Sequence, residues 1–333
     1  MKIFVAGGAG FIGSNFIRFM LNKYPDARIL NYDKLTYAGN PDNLRDVEKD
    51  KRYSFVKGDI TDADKVDAVM KDVTHIVNFA AETHVDKSIH EGSRPFVMAN
   101  TVGVQTLLDA ARKRGIEKYV QISTDEVYGS LELDDDKKFT EETPFAPNVP
   151  YAAAKAGGDM MCRAYFKTFG LPVVVSHCSN NYGPYQYPEK LIPFFISKAL
   201  ENKPMPLYGD GLNVRDWLYV LDHCSAIDLM LRKGVAGEVY NIGGNNEKSN
   251  IEIAKLILEN LRKPESLLTF VEDRPGHDRR YAIDASKITK ELGWKPAHTF
   301  EQAIPYTIKW YVENKQWIEN IRKRCAEFNI HIK

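Results

Sequence analysis

The chain has 333 residues, and its 45 lysines and arginines are balanced by 45 aspartates and glutamates. This balance leaves no overall field that would favour nucleic acid or an anionic membrane, and no segment approaches the roughly 18 uninterrupted apolar residues of a membrane span. Neither the four cysteines nor the eight histidines show metal-ligand spacing, so we assign no metal. The scattered cysteines indicate reduced thiols in a cytoplasmic protein. Since the charges balance, we expect the partner to be a small molecule.

Short apolar runs alternate with amphipathic stretches through the first half of the chain. Buried strands are predicted for the runs KIFVAG, ARILNYD, YSFVKGD, HIVNFAA, KYVQIST and LPVVVSHCS, and the stretches between them have helical periodicity. Strict alternation of strand and helix predicts an α/β fold, a doubly wound Rossmann-type parallel sheet covered by helices on both faces. We expect this domain to span residues 1–180.

The pattern loosens from about residue 180. Pro-rich pieces precede further helices, and one more strand is predicted for EVYNIGG, which would return to the sheet with other elements from about 216–244. We therefore expect residues 181–333 to form mainly a smaller C-terminal α/β domain, which closes over the carboxyl ends of the strands. The charge run LELDDDKKF, at 131–139, is predicted to be a solvated loop.

The first strand leads into a glycine loop. In VAGGAGFIGS, Gly7, Gly10 and Gly13 have the spacing that permits a tight turn, close backbone approach to a pyrophosphate and close packing of helix on strand. Asp33 follows Gly13 by 20 residues at the end of a strand, where a carboxylate can accept hydrogen bonds from ribose hydroxyls. A carboxylate there repels a 2′-phosphate, so the motif favours NAD over NADP, although Lys34 beside it argues the other way.

Two further motifs carry reactive side chains. YAAAK places Tyr151 and Lys155 four residues apart on one helix face, and an ammonium close to a phenol is expected to lower the tyrosine pKa from about 10 towards neutrality. QISTDEVYG ends a strand with Thr124, Asp125 and Glu126, and adjacent carboxylates at a strand end are costly unless the chemistry uses them. Both segments are expected to reach the same cleft, although the two carboxylates could also simply cap the segment after the strand.

These motifs, together with DKLTYAGN, AAETHVDKSI, CSNNYGPYQYPEKLIP, RDWLYVLDH, YNIGG and DRPGHDRRYAID, extend along essentially the whole chain. The chain resembles the extended short-chain dehydrogenase/reductase superfamily and, within it, the nucleotide-sugar 4,6-dehydratases that act on dTDP-glucose. Two departures are visible: Ala6 stands where the family loop commonly has Thr, and the segment after Tyr151 is rich in Ala rather than Ser. Neither departure changes a residue that is expected to take part in the reaction.

The resemblance implies a division of roles in the conversion of dTDP-glucose to its 4-keto-6-deoxy form. Tyr151 would remove the 4-hydroxyl proton with Lys155 beside it, Thr124 would hydrogen-bond the 4-oxygen, Glu126 would abstract the C5 hydrogen, and Asp125 would protonate the departing C6 hydroxyl. To donate a proton, Asp125 needs a pKa above the usual value of about 3.9, which burial beside Glu126 would supply.

The resemblance also implies contacts with NAD and with the nucleotide sugar. Beyond the residues already given, the cofactor residues are Phe11, Ile12, Leu35, Thr36, Asp59, Ile60, Phe79, Ala80, Ala81, Thr83 and Asn181, although Asp59 could equally be only a turn residue before a helix. Beyond Thr124, the substrate residues are Thr83, Asn180, Lys190, Leu191, Pro206, Tyr208, Arg215, Asn250, Asp273, Arg274 and His277. Arg215 is the expected diphosphate clamp, over which Arg274 and His277 would close. Equivalent helices pair across a two-fold axis in this superfamily, which implies a homodimer.

Three alternatives remain open at this stage. A sugar-nucleotide 4-epimerase or decarboxylase of the same fold needs no acid and base beyond the tyrosine and lysine, so the Asp-Glu pair argues against it. Within the dehydratases, Thr-Asp-Glu favours the glucose branch, but a single methyl separates thymidine from uridine, so UDP-glucose is the alternative substrate. An NAD-sensing regulator that has lost catalysis would have a damaged site, which this sequence does not show.

Overall fold

A computed structural model describes residues 1–273 and 277–327, with the side chains of 325–327 left aside. The strands in these ranges are β1 (Lys2–Ala6), β2 (Arg28–Asp33), β3 (Tyr53–Lys57), β4 (His75–Asn78), β5 (Lys118–Thr124), β6 (Val173–Cys178), β7 (Asn180–Tyr182), β8 (Met205–Tyr208), β9 (Val214–Tyr219), β10 (Val239–Ile242), β11 (Glu247–Ser249) and β12 (Leu268–Val271).

The helices surround these strands. They are α1 (Phe11–Lys23), α2 (Ala63–Val69), α3 (Val85–His90), α4 (Arg94–Val97), α5 (Gly103–Arg114), α6 (Pro150–Phe169), α7 (Leu191–Leu200), α8 (Val220–Lys233), α9 (Asn250–Leu261), α10 (Ser286–Leu292), α11 (Phe300–Glu313) and α12 (Lys315–Glu327). A π-helical turn at Met98–Val102 joins α4 to α5, and a 3-10 turn at Asp125–Tyr128 follows β5. Within the described ranges, no helix is both long enough and apolar enough to span a membrane.

The largest sheet has seven parallel strands in the order β10-β6-β5-β4-β1-β2-β3. The strand order reverses between β1 and β4, the position at which an open α/β sheet leaves a crevice at its carboxyl edge. Each strand predicted from the first half of the chain is present, and the EVYNIGG run supplies β10 at the sheet edge. The doubly wound α/β prediction is therefore confirmed.

Side chains of the central strands alternate between two cores. On β1, Ile3 and Val5 belong to the larger apolar cluster, whereas Phe4 and Ala6 belong to the second, because successive strand residues point to opposite faces. The larger cluster lies under α1 and α8 and continues into the later helices, and the second lies under α2 and α5. The sheet is thus buried on both faces, and its carboxyl edge is left to form a site.

The later strands form two smaller sheets. The order β11-β9-β7 makes one, and β12 pairs with β8 in the other. The loop at 131–139 is exposed along most of its length, as expected, but its end is anchored because Phe139 is buried and Arg280 Nη1 donates to the carbonyls of Asp135 and Lys137. These elements stand beside the carboxyl edge of the large sheet, because β7 begins only two residues after β6 ends.

Candidate active site

The glycine loop between β1 and α1 is packed too closely for side chains. A Cβ on Gly7 would lie 2.5 Å from the Ala80 backbone nitrogen, and one on Gly13 would lie 2.5 Å from the Gly7 carbonyl oxygen; Gly7 also has a φ of +74°. The N-terminus of α1 therefore opens directly into a cavity, and the first turn of this helix has no acidic residue. Such a helix end attracts an anion through its unpaired N–H groups and its dipole.

Asp33 ends β2 beside this loop and is 7% exposed. Its carboxylate accepts hydrogen bonds from the backbone N–H of Ala9 at 2.9 Å and of Leu35 at 2.7 Å. Burial raises the pKa of Asp33, while these two backbone donors act against the rise. Each carboxylate oxygen keeps a further lone pair, so Asp33 can still accept from a ribose hydroxyl.

Lys34 is engaged with Asp59 rather than with Asp33. Its Nζ lies 2.7 Å from the Asp59 carboxylate. Burial acts to raise the pKa of Asp59, but the hydrogen bond from Lys34 and the backbone N–H of Thr61 lower it overall. Asp59 therefore has the turn role that the sequence left open, and it also lines the cavity.

A cavity of about 680 Å³ joins the glycine loop to the carboxyl ends of the central strands. Every sequence-derived cofactor residue except Leu35 lines it, as do all five candidate catalytic residues. Of the predicted substrate residues, the cavity wall includes Thr83, Thr124, Asn180 and Lys190. The remainder lie outside it, at Leu191, Pro206, Tyr208, Arg215, Asn250, Asp273 and His277, and Arg274 lies outside the described residues.

The 3-10 turn after β5 presents the two adjacent acids. Thr124 caps the turn, because its Oγ1 accepts from the Glu126 backbone N–H at 3.3 Å, and the same hydroxyl donates to Asp125 Oδ1 at 3.3 Å. Asp125 is 2% exposed, and its Oδ2 has no hydrogen-bond partner within the described ranges. Burial, followed by the negative charge of Glu126, raises the pKa of Asp125 well above its ordinary value. The direction of this pKa shift is the one expected for an acid beside a second carboxyl.

Tyr151 and Lys155 are both buried on the first two turns of α6. Lys155 Nζ donates to the Ile122 carbonyl of β5 at 2.6 Å. Burial raises the pKa of Tyr151 well above its ordinary value, and the negative charge of Glu126 adds to the rise. Burial also lowers the pKa of Lys155, which Asp159 partly opposes. The expectation that Lys155 brings the Tyr151 pKa towards neutrality is wrong for the chain alone, because desolvation of the phenol dominates.

The predicted substrate residues outside the cavity belong to β8 and β9, to the first positions of α7 and α9, and to the segment between β12 and α10. The Arg215 guanidinium lies 4.4 Å from the Tyr281 ring centre and donates to the Asp278 carbonyl at 2.9 Å, and its positive charge acts on Asp125 to lower the carboxyl pKa. On the β8–β12 side, the Tyr208 ring meets His277, whose Nδ1 lies 2.6 Å from Asp273 Oδ1. The electrostatic effect on the Asp125 carboxyl relates Arg215, of these residues, to the acidic turn.

Helix α12 supplies cavity residues that no sequence motif predicted. Trp317 and Ile321 line the cavity, and Trp317 Nε1 donates to Asn43 Oδ1 at 2.8 Å. Arg324 donates to Asn40 Oδ1 at 2.7 Å and to the Gly39 carbonyl at 2.8 Å. Helix α12 thereby holds the loop after β2 that forms the wall next to Asp33. The amphipathic pattern of α12 could have indicated that this helix packs on the rest of the protein, but it does not indicate which segment the helix packs against.

Taken together, a doubly wound sheet, a glycine loop with a strand-end aspartate and a buried Tyr-x-x-x-Lys pair define the short-chain dehydrogenase/reductase class. The family model described as GDP-mannose 4,6 dehydratase matches residues 4–307, and the chain belongs to that family. The predicted superfamily is therefore confirmed.

Individual relatives are similar over nearly the whole chain. A dTDP-glucose 4,6-dehydratase from Xanthomonas campestris pv. campestris (strain B100) is 49% identical over 337 residues, which cover 95% of each chain. The crystal structure of a Bacillus anthracis dTDP-glucose 4,6-dehydratase in complex with NAD has a TM-score of 0.90 and 53% identity, and the match covers 96% of this chain and 99% of that one. A Streptomyces venezuelae dTDP-glucose 4,6-dehydratase with NAD and TYD bound has a TM-score of 0.93 and 48% identity, with coverage of 96% and 100%.

Proposed function

We propose that this protein is an NAD-dependent dTDP-glucose 4,6-dehydratase, which converts dTDP-glucose to dTDP-4-keto-6-deoxyglucose and water. The observation that carries the proposal is the turn with Glu126 and the buried Asp125, which lines the same cavity as Tyr151 and Lys155. A 4-epimerase would have no use for this additional acid and base. The names of the relatives at 48–53% identity agree with the prediction made from the sequence.

The cavity fits NAD on the evidence of its own backbone. The glycine loop leaves no space for a Cβ at Gly7 or Gly13, and the uncapped first turn of α1 and the Asp33 carboxylate are placed to receive a pyrophosphate and a ribose. When bound, NAD supplies the hydride acceptor for C4 and the hydride donor for C6, and its oxidised ring brings a positive charge. Because Asp33 is a carboxylate and Lys34 is paired with Asp59, the site favours NAD over NADP.

Tyr151 acts on the proton of the 4-hydroxyl group. In the chain alone, burial and Glu126 keep the phenol protonated, so it becomes a base only when positive charge enters the cavity. Lys155 already supplies one positive charge. Its buried ammonium donates to the Ile122 carbonyl and lies on the same face of α6 as Tyr151. Thr124 stands at the end of β5, where its hydroxyl can bind the 4-oxygen.

Glu126 and Asp125 then act on neighbouring carbons in opposite senses. Once C4 is a ketone, the C5 hydrogen is acidic and Glu126 removes it, while Asp125 gives its proton to the departing C6 hydroxyl so that water leaves. Asp125 is suited to this task because burial beside Glu126 raises the pKa of its carboxyl and so favours the protonated form. Its buried Oδ2, which lacks a partner within the described ranges, is the atom available to donate.

The remaining residues bind the rest of the substrate. Arg215 acts electrostatically on Asp125 and is our candidate for the diphosphate. His277, whose ring meets that of Tyr208 on β8, is our candidate to close over it. Thr83, Asn180 and Lys190 line the cavity and face the sugar, and Asn181 lies next to them on β7. Leu191, Pro206, Asn250 and Asp273 complete the nucleotide side. In this scheme residues 1–180 hold the cofactor and 181–333 mainly hold the nucleotide sugar.

We further propose a cytoplasmic homodimer that requires neither nucleic acid nor membrane. Exposed apolar side chains on α4, the π turn and α6 support the dimer, because Val97, Met98, Met160 and Phe169 are each between 40% and 48% exposed on elements of one packed group. Sedimentation velocity would test it, and a monomer at micromolar concentration would contradict it.

The activity is tested by incubating the purified protein with dTDP-glucose and, separately, with UDP-glucose, without added cofactor. Alkali-induced absorbance of a 4-keto-6-deoxy product from dTDP-glucose is the expected result. Product from UDP-glucose at a comparable rate would assign the protein to the UDP-glucose branch instead. No product from either sugar, even with NAD supplied, would overturn the dehydratase proposal.

A further inference from the structure

A buried chain of hydrogen bonds lies behind the catalytic turn. Ser123 Oγ donates to Asp159 Oδ2 at 2.6 Å, and the same oxygen lies 3.2 Å from His177 Nε2. On the other side of the imidazole ring, His177 Nδ1 lies 2.6 Å from the Tyr128 hydroxyl, which donates to Asn241 Oδ1 at 2.8 Å. All five side chains belong to residues that are at most 3% exposed. We call this set the buried relay.

The direction of each hydrogen bond follows from the asparagine at the end of the relay. Asn241 Nδ2 donates to the Phe139 carbonyl at 3.0 Å, which turns Oδ1 of the amide towards Tyr128. Since the single Tyr128 proton goes to Asn241, the Tyr128 oxygen must accept from His177, so Nδ1 of the imidazole carries a proton. Nε2 then shares one proton with Asp159. Only this arrangement gives each of the four hydrogen bonds of the relay one proton.

The relay connects the segments that carry the reactive groups. Ser123 directly precedes Thr124, Tyr128 ends the 3-10 turn that bears Asp125 and Glu126, and Asp159 lies one helical turn beyond Lys155 on α6. His177 stands on β6 between the turn and the helix. Tyr128, Asp159 and His177 do not line the cavity, so they do not touch the substrate and act on the reaction through neighbouring residues. Tyr128 and His177 do so through hydrogen bonds, and the charge of Asp159 also acts on Lys155.

We propose that Tyr128, His177 and Asp159 are positioning residues that hold the acidic turn against α6, so that Glu126 meets the C5 hydrogen after C4 has been oxidised. The proposal rests on the dehydratase function given above. It predicts a selective defect: the elimination half of the reaction depends on the exact position of the turn, whereas the hydride half depends on Tyr151 and Lys155, which α6 places through its own packing on β5.

Tyr128→Phe is the sharpest variant, because the phenyl ring keeps the stack on Phe139, with ring centres 5.2 Å apart, and loses only the bridging hydroxyl. We expect kcat for dTDP-glucose to fall roughly 10- to 100-fold, with KM and the content of retained NAD unchanged. The deuterium isotope effect on kcat should rise with substrate labelled at C5 and fall with substrate labelled at C4. The matched control is Tyr119→Phe, on β5, whose hydroxyl donates to Gln121 at 3.0 Å outside the relay.

Wild-type kcat and isotope effects in Tyr128→Phe would overturn the proposal, and so would an equal fall in Tyr119→Phe. Turnover of dTDP-glucose by the wild-type protein tests the proposed function separately.

If Tyr128→Phe does not fold, the wild type still provides a test through nuclear magnetic resonance of ¹⁵N-labelled histidine. A ring N–H on His177 Nδ1 that exchanges slowly with solvent is expected, and an unprotonated Nδ1 would contradict the relay. Partial recovery of kcat in His177→Gln relative to His177→Leu is also expected, because glutamine keeps one donor, and equal activities would contradict it.

Discussion

At the cofactor end of the cavity, the glycine loop, Asp33 and the Thr124–Glu126 turn each lie at the carboxyl end of a strand of the parallel sheet, so strand order brings them to a common edge. At the sugar-nucleotide end, Lys190, Arg215 and Asn250 come from separate later elements, and Arg215 also binds the backbone carbonyl of Asp278. Sheet topology therefore positions the residues at the strand ends, whereas packing between remote segments positions the substrate contacts. Substitutions at the strand ends and in the residues that face or hold them should therefore change the course of the reaction, and substitutions in the later elements should mainly change what is bound.

The largest loss is expected at the turn after β5. Glu126→Gln removes the base for C5 but leaves the C4 oxidation in place, so turnover should fall roughly 1,000- to 10,000-fold. Stopped-flow absorbance should show reduced nicotinamide that accumulates on addition of dTDP-glucose. Normal turnover in this variant would mean that the base is assigned to the wrong residue.

Tyr151→Phe should stop the reaction earlier, before any reduced nicotinamide forms. The phenyl ring keeps the packing against Phe96, whose ring centre lies 6.5 Å away, but it cannot accept the 4-hydroxyl proton. We expect turnover to fall roughly 100- to 1,000-fold. The same stopped-flow trace is the measurement, with Glu126→Gln as the comparison, and a signal of equal amplitude in both variants would contradict the separation of roles.

Asp125→Asn should lower kcat by about 100-fold and remove the alkaline limb of the wild-type pH profile. The sign follows from the raised pKa of Asp125: the acid is competent below that pKa, so kcat falls as the pH rises through it. Folding takes up a proton at this carboxyl, and the stability it contributes declines as the pH rises above the unfolded value of about 3.9 towards the folded pKa. The Tm of the Asp125→Asn variant should therefore rise relative to the Tm of the wild type as the pH increases. A parallel pH dependence of the two proteins would contradict the assignment.

The smallest effect is expected far from the chemistry, at α12. Arg324→Ala removes the contacts to Asn40 and Gly39 that hold the cofactor wall, so bound NAD should dissociate roughly tenfold faster, equivalent to about 1.4 kcal/mol. The NAD content of the protein after gel filtration measures the loss. Arg322→Ala is the matched control, because its guanidinium contacts Glu201 and Ser197, outside the cavity. Equal loss of NAD from both variants would show that α12 acts only through general stability.

The extent to which sequence alone could anticipate this site differs between particular residues. The glycine spacing, the strand-end Asp33 and the turn at Thr124 were predictable, because each motif is local and a parallel sheet brings strand ends to one edge. The raised pKa of Asp125 was also expected, since burial beside another carboxyl has a known sign.

Other features depend on partners far away in the chain. The pKa of Tyr151 moves in the opposite direction from the one expected, because burial of the phenol and, after it, the negative charge of Glu126 raise it. The contact of Trp317 with Asn43 joins residues 274 positions apart, and no local pattern signals it. His177 and Asp159 meet across β6 and α6, so their relation to the turn becomes visible only in three dimensions.

In the proposed reaction one enzyme oxidises C4, eliminates water across C5 and C6, and returns the same hydride to C6. The decisive experiment is turnover of dTDP-glucose that carries deuterium at C4, followed by nuclear magnetic resonance of the product. We expect a 4-keto-6-deoxy product with the deuterium at C6 and a solvent-derived hydrogen at C5. Deuterium that stays at C4 in an epimerised sugar, or that is lost to solvent, would contradict it.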